Sequence, residues 1–252
     1  MGLELLKSVT GRTLIESHRG VIGRAPENSW TAIKLGQQLG ADLIEVDVQI
    51  SQDGIPFLRH NYQLPDGQWC NQVDWDTLKN TIVDGEHLPR LDDVLIWAHE
   101  IGIYLSLDIK ASFSPESNLS EAVVKALEKT KTKEFALLLF LDHNELFQIK
   151  RTYPDITVRA LSRGRFFNYA EYLKSIGADC ASISYDLFRP IDIEEIHAVG
   201  ISVVLDGLWN PNVDLFENLD IDVFTHDDPV DARRILKYHT DNVGTISLEN
   251  KN

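Results

Sequence analysis

The chain alternates short apolar runs with amphipathic stretches along its whole length, and this rhythm constrains its fold more than any other feature. Runs of strand character fall at 13–18, 42–48, 103–110, 134–141, 156–161, 179–184, 201–205 and 222–225. Helical segments fall at 29–39, 91–100, 118–129, 144–151, 168–175, 192–198, 213–218 and 229–238. Strands that alternate with helices pair in parallel. Eight such units in 252 residues predict a closed (β/α)8 TIM barrel, an α/β fold occupying 1–252 as a single domain. An open doubly wound sheet is the alternative, and no G-x-G-x-x-G turn follows the first strand to favour it.

One segment breaks the rhythm. Asp53-Gly54 introduces a second short run, IPFLRH, directly after the second strand, and the pair reads as a hairpin. Residues 61–89 then form a Gly-, Asp- and Trp-rich stretch with a single short helix at 74–79. This predicts a cap inserted over one end of the barrel.

Charge narrows the partners. Lys and Arg number 24 and Asp and Glu 39, a net charge of −15 with no basic run. That excludes nucleic acid and a polybasic membrane anchor as expected partners. A phosphate substrate stays compatible, because a bound cation inverts the local field. Two cysteines, Cys70 and Cys180, make neither a disulfide framework nor a four-cysteine zinc site. No signal-like or membrane-length apolar run is present, so the expected location is cytoplasmic, with no integral membrane association.

Two strands carry the chemistry. In 43–50, LIEVDVQI, Glu45 and Asp47 fall on one face, and Ile44, Val46, Val48 and Ile50 on the other. In 103–110, IYLSLDIK, Asp108 and Lys110 share a face opposite Ile103, Leu105, Leu107 and Ile109. Side chains alternate along a strand, so in a barrel the aliphatic faces pack on the helices and the carboxylates point inward. A half-solvated antiparallel strand would give the same alternation. Glu45, Asp47 and Asp108 together offer hard oxygen donors suited to one divalent cation, Mg²⁺ or Ca²⁺. Their crowding predicts that Asp47→Asn relieves repulsion in the metal-free protein. His18 and His60 each end a strand, and two imidazoles near such a site suit paired acid and base roles. Arg19 and Lys110 supply cations for a phosphate.

The ordered set H18-R-G, A25-P-E-N, G40-A-D-L-I-E-V-D-V, D53-G, H60, L88-P-R-L-D-D-V-L and L107-D-I-K110 resembles the glycerophosphodiester phosphodiesterase family, within the phosphatidylinositol phospholipase C-like phosphodiesterase barrels. G177-A-D and T225-H-D-D-P extend the resemblance along the chain. It implies a barrel enzyme that hydrolyses a small-molecule phosphodiester to glycerol 3-phosphate and an alcohol with a divalent metal. By position it implies His18 and His60 as the acid/base pair, Glu45, Asp47 and Asp108 as metal ligands, and Arg19, Lys110 and Glu27 at the substrate.

The departures lie around that core. Asn61 follows His60 where the family has Asp, and Asp108 stands for the family's Glu. Phe140-Leu141 replaces Ser-Phe, the Trp-Thr pair after the seventh strand is missing unless Trp209 supplies the ring, and His226-Asp227 replaces Thr-Asp. Two other readings follow from this drift. One is a phospholipase D-like head-group phosphodiesterase, which needs an exposed apolar rim; Tyr62, Leu64 and Trp69 are the cap's candidates. The other is a barrel that binds phosphodiesters without turnover.

Overall fold

The structure is a computed structural model that describes residues 3–110, 118–184, 186–206 and 220–236. Eight parallel strands close into a barrel: β1 (Leu14–Ser17), β2 (Leu43–Ile50), β6 (Tyr104–Ile109), β7 (Ala136–Phe140), β8 (Thr157–Leu161), β9 (Cys180–Ser184), β10 (Ser202–Asp206) and β11 (Val223–His226). Closure comes from β1, which pairs with β11 on one side and β2 on the other. All eight expected strands are present, each within two residues of its expected bounds.

Helices α2 (Trp30–Gln38), α4 (Leu91–Ile101), α5 (Leu119–Thr130), α6 (His143–Thr152), α7 (Tyr169–Ile176), α8 (Pro190–Ala198) and α9 (Pro229–Ile235) lie between or after the strands. Their starts follow local chemistry. Ser29, Asp142 and Asp228 each accept a backbone N–H of the first turn, satisfying donors that a helix start leaves open. The expected helix at 213–218, Trp209 and residues 237–238 lie outside the described residues.

The aliphatic faces of β2 and β6 join one core with α2, α4 and α5, as the alternation requires. The floor of the barrel is a separate apolar layer. Leu43, Leu137, Cys180, Val204 and Val223 point inward there and pack on Leu5, from the segment that precedes β1. That segment includes the short helix α1 (Lys7–Thr10). Its Leu3 amide donates to Thr157 Oγ1 at 2.8 Å and its Lys7 amide to Asp222 Oδ1 at 2.6 Å, sealing one end.

The hairpin is formed by β3 (Pro56–Leu58), antiparallel to β2. Beyond it, residues 61–89 hold a 3-10 turn (Cys70–Gln72), α3 (Trp75–Leu78) and the two-stranded ribbon β4 (Ile82–Val83) and β5 (Glu86–His87). Phe57, Leu64, Cys70, Val73, Leu78 and Leu88 give this region its own small core. Among the described residues, no helix is long and apolar enough to cross a membrane.

Candidate active site

The polar inward faces of β1, β2 and β6 meet at the C-terminal end of the barrel, where βα loops build the sites of such folds. Glu45, Asp47 and Asp108 converge there: their nearest oxygens all lie within 4.8 Å of one another. Parallel pairing in register sets this, because Asp47 stands opposite Asp108 across β2 and β6. Glu45 and Asp47 are buried.

Cations hold two of the three carboxylates. Lys110 Nζ lies 2.6 Å from Asp47 Oδ1 and also bonds Asp108 Oδ2. Asp47 Oδ2 accepts Asn28 Nδ2 at 2.6 Å and faces Arg19 Nε at 3.2 Å. Burial works to raise the Asp47 pKa, but Lys110 and Arg19 outweigh it, and the group stays below the usual carboxylate range. Glu45 differs. Its Oε2 accepts the Arg19 amide at 2.8 Å, yet burial and the neighbouring Asp47 push its pKa up to about 8. Asp108 is raised as well, by burial against the opposing pull of Lys110. Lys110 and Arg19 compensate Asp47, whose charge in turn raises Glu45 and Asp108; Asp47→Asn would therefore relieve those two groups at the expense of the ion pairs to Lys110 and Arg19. A divalent cation fits this donor set, since it supplies the charge that ionised Glu45 lacks.

The His18-Arg19-Gly20 turn depends on its glycine. Gly20 has φ +85°, and a Cβ there would stand 2.6 Å from Ala32 of α2. Arg19 (φ +50°) and Asn28 (φ +58°) occupy the same left-handed region without being glycine. Such strain persists where surrounding bonds fix it. Here Asn28 N donates to the Arg19 carbonyl at 3.0 Å, and the Asn28 side chain pairs with both the Asp47 amide and its carboxylate.

The two histidines line one cleft of about 230 Å³ together with Arg19, Glu45, Asp108 and Lys110. His18 Nδ1 bonds Asp227 Oδ1 at 2.7 Å. Burial opposes its charge, but the bond to Asp227 and the field of Glu45 prevail and raise its pKa to about 9. His60 Nδ1 bonds Asn61 Oδ1 at 2.9 Å. Glu27 stands apart from the acidic cluster and bonds Arg19 Nη1 at 2.8 Å.

Beneath the cleft lies a charged layer that the sequence reading missed. Arg159, fully buried, donates to Ser182 Oγ at 2.6 Å, Glu16 Oε2 at 2.7 Å and Asp206 Oδ1 at 2.7 Å. Thr225 Oγ1 donates to the same Glu16 oxygen at 2.6 Å. The local signal was slight: Glu16 lies two residues before His18, and Arg159 shares the inward face of β8 with Thr157 and Leu161. Asn28 and Asp227 stood within the A25-P-E-N and T225-H-D-D-P motifs but were given no role.

Known proteins carry the same architecture. Solved structures similar to this chain include a glycerophosphodiester phosphodiesterase from Parabacteroides distasonis, at TM-score 0.80 and 21% identity over 89% of this chain and 96% of that one. Another is an Oleispira antarctica phosphodiesterase in complex with the product sn-glycerol-3-phosphate, at TM-score 0.80 and 22% identity over 91% and 98%. A glycerophosphodiester phosphodiesterase of Caldanaerobacter subterraneus is 25% identical over 60% of this chain and 67% of its own length. The model of the Glycerophosphoryl diester phosphodiesterase family matches residues 18–231, from the first cleft histidine into the last helix. With that span matched, the chain belongs to the glycerophosphoryl diester phosphodiesterase family.

Proposed function

We propose that the chain hydrolyses glycerophosphodiesters to glycerol 3-phosphate and an alcohol, with His18 and His60 as its acid/base pair. The observation that carries this reading is the convergence of both histidines, Glu45 and Asp108 on one cleft, with Asp47 in the same acidic cluster. The family and its named relatives support the reaction class.

Glu45, Asp47 and Asp108 would hold one divalent cation, Mg²⁺ or Ca²⁺, which supplies positive charge to a phosphate as its negative charge develops. Arg19 and Lys110 bind the phosphate oxygens, and Glu27 orients the Arg19 guanidinium. His18, kept protonated through Asp227, is the general acid: its Nε2–H passes a proton to the departing alkoxide. His60 donates Nδ1–H to Asn61 Oδ1, and its Nε2 then takes a proton from the attacking oxygen. That oxygen belongs to water or to the substrate's own glycerol 2-hydroxyl; in either case one water is consumed overall.

The test is a panel of glycerophosphodiesters scored for glycerol 3-phosphate release, with and without a chelator. Turnover that Mg²⁺ or Ca²⁺ restores after chelation supports the reading. Binding without turnover across the panel overturns it in favour of a non-catalytic barrel.

A further inference from the structure

The base of the cleft holds an acceptor that has no donor. Glu16, Arg159, Asp206 and Thr225 line the cleft from four different strands. Glu16 stands in register with Thr225 across β1 and β11. Its Oε2 takes two donors, Arg159 Nη1 at 2.7 Å and Thr225 Oγ1 at 2.6 Å. Its Oε1 is buried and, among the described residues, has no hydrogen-bond partner. The carboxylate cannot turn to share the load, because Arg159 is itself held by Ser182 and Asp206. A buried acceptor left unpaired is costly, and a native fold that keeps one leaves it for something that completes it. Glu16, Arg159 and Asp206 also lie outside every motif that carries the family resemblance, so this layer belongs to the present chain.

The position of Glu16 on β1 fixes what can reach it. Glu16 and His18 share the inward face two residues apart, which puts Glu16 about 7 Å deeper into the barrel. Below it, the apolar layer of Leu43, Leu137 and Val223 packs on Leu5 and closes that end. Above it, Arg19 and Lys110 line the same cleft of about 230 Å³. Leu139 and Leu161 line it as well, and Leu139 stands in register with Arg159. The closed end therefore offers a charged acceptor beside an aliphatic wall. That pairing complements a short polyol, whose hydroxyls need acceptors and whose methylenes need hydrocarbon. A three-carbon chain with its phosphate on Arg19 and Lys110 spans the step from His18 down to Glu16.

We infer that Glu16 is a specificity-determining residue: its Oε1 accepts the terminal hydroxyl of the substrate's glycerol half, which enters the barrel first. The inference rests on the phosphodiesterase reading above. The orientation follows from the shape of the cleft. The glycerol half is the same in every glycerophosphodiester and suits a closed end of fixed depth. The alcohol varies, leaves as product and faces the open mouth. With its phosphate and its terminal hydroxyl both held, the glycerol also keeps its middle carbon, and the 2-hydroxyl on it, between the two anchors.

The experiment compares kcat/KM of the full chain, with divalent cation, on a glycerophosphodiester and on the propane-1,2-diol diester with the same alcohol. The second substrate keeps the 2-hydroxyl and has hydrogen in place of the terminal one. Wild type should prefer the glycerol form by about 10- to 100-fold, the scale of a hydrogen bond to a charged acceptor. A variant that makes the whole layer apolar, Glu16→Leu with Arg159→Met and Asp206→Leu, leaves no buried charge behind. It should bring the ratio of the two substrates to within about threefold of one, by losing rate on the glycerol form. Equal efficiency of wild type on the two diesters overturns the inference and assigns Glu16 Oε1 to an internal water. An undiminished preference in the triple variant overturns it too, since the hydroxyl is then read elsewhere. Absence of turnover on both diesters removes the phosphodiesterase reading instead. Equilibrium binding of glycerol 3-phosphate and of propane-1,2-diol 1-phosphate to wild type then decides the role of Glu16: tighter binding of the first by a similar factor supports it, and equal affinity overturns it.

Discussion

Asp227 Oδ1 stands 2.7 Å from His18 Nδ1, so the residue that follows β1 is oriented, and its imidazolium favoured, by one that follows β11, the partner strand. The pair distinguishes the two histidines, because among the described residues the other ring bonds the neutral amide of Asn61. Asp227→Asn removes the carboxylate that favours the His18 imidazolium and lowers its pKa. A general acid fails once deprotonated, so the alkaline limb of the kcat/KM profile moves to lower pH, by about one unit or more. Profiles of wild type and variant, at saturating metal, decide this. An alkaline limb that stays in place assigns the acid role elsewhere.

The acidic cluster should make stability depend on pH in a way that a divalent cation reverses. Glu45 is an acid whose folded pKa, about 8, lies above the ordinary 4.5. Between those values the folded state holds more protons than the unfolded one, so stability falls as pH rises. His18, raised from 6.5 to about 9, stabilises fully below 6.5 and loses that contribution as pH rises through 9. Both act in the same direction. The Tm of chelated protein should decline from pH 6 to pH 9, reflecting on the order of a few kcal/mol. Added Mg²⁺ or Ca²⁺ should raise Tm, and raise it more at the alkaline end. Glu45→Gln should flatten the chelated curve and abolish the response to metal. A Tm in chelator that is constant or rises over this range contradicts the assignment.

The barrel and the acidic triad were legible because both rest on period-two alternation, a property of single strands that register then aligns. Glu45, Asp47 and Asp108 could be placed from their own segments alone. The charged layer could not. Arg159 sits in TVRAL, a run that reads as any apolar strand, and its partners Glu16 and Asp206 are 143 and 47 residues away in sequence. Only closure of the barrel brings them together. The uneven ionisation of the triad was hidden for the same reason: it depends on where Lys110 and Arg19 reach, and both reach Asp47 rather than Glu45. Of the apolar rim sought on the cap, Leu64 is buried in the cap's own core whereas Trp69 is exposed.

The buried layer should be costly to break and cheap to replace as a unit. Arg159→Met leaves Glu16, which is fully buried, and Asp206 without their cation. Uncompensated buried charge costs about 3–5 kcal/mol, whereas exchanging a whole buried ion group for apolar residues is often neutral. Urea unfolding should show that loss in Arg159→Met. Most of it should return when Glu16→Leu and Asp206→Leu are added. If the single variant unfolds at the wild-type midpoint, the layer contributes nothing to the fold.

Arg19→Lys tests the phosphate site with the charge conserved. The Arg19 guanidinium spans two carboxylates at once, with Nη1 at 2.8 Å from Glu27 Oε2 and Nε at 3.2 Å from Asp47 Oδ2. This geometry fixes a planar fork at the cleft, and a fork meets two phosphate oxygens in one orientation. A lysine ammonium is a point charge on a flexible stem. It can satisfy Glu27 or Asp47 but cannot hold both while presenting donors to a phosphate. The backbone is unaffected in principle, since the Arg19 amide bond to Glu45 and the left-handed turn do not depend on the side chain. The expected outcome is a fall of about 10- to 100-fold in kcat/KM with little change in Tm, because a bidentate charge-assisted contact is exchanged for a single one. A Glu27→Gln variant, which loosens the same guanidinium from one side, should lie between wild type and Arg19→Lys. Wild-type kcat/KM in Arg19→Lys would make Arg19 a structural cation that holds the β1 turn to Asp47, and the phosphate would then be held by Lys110 alone.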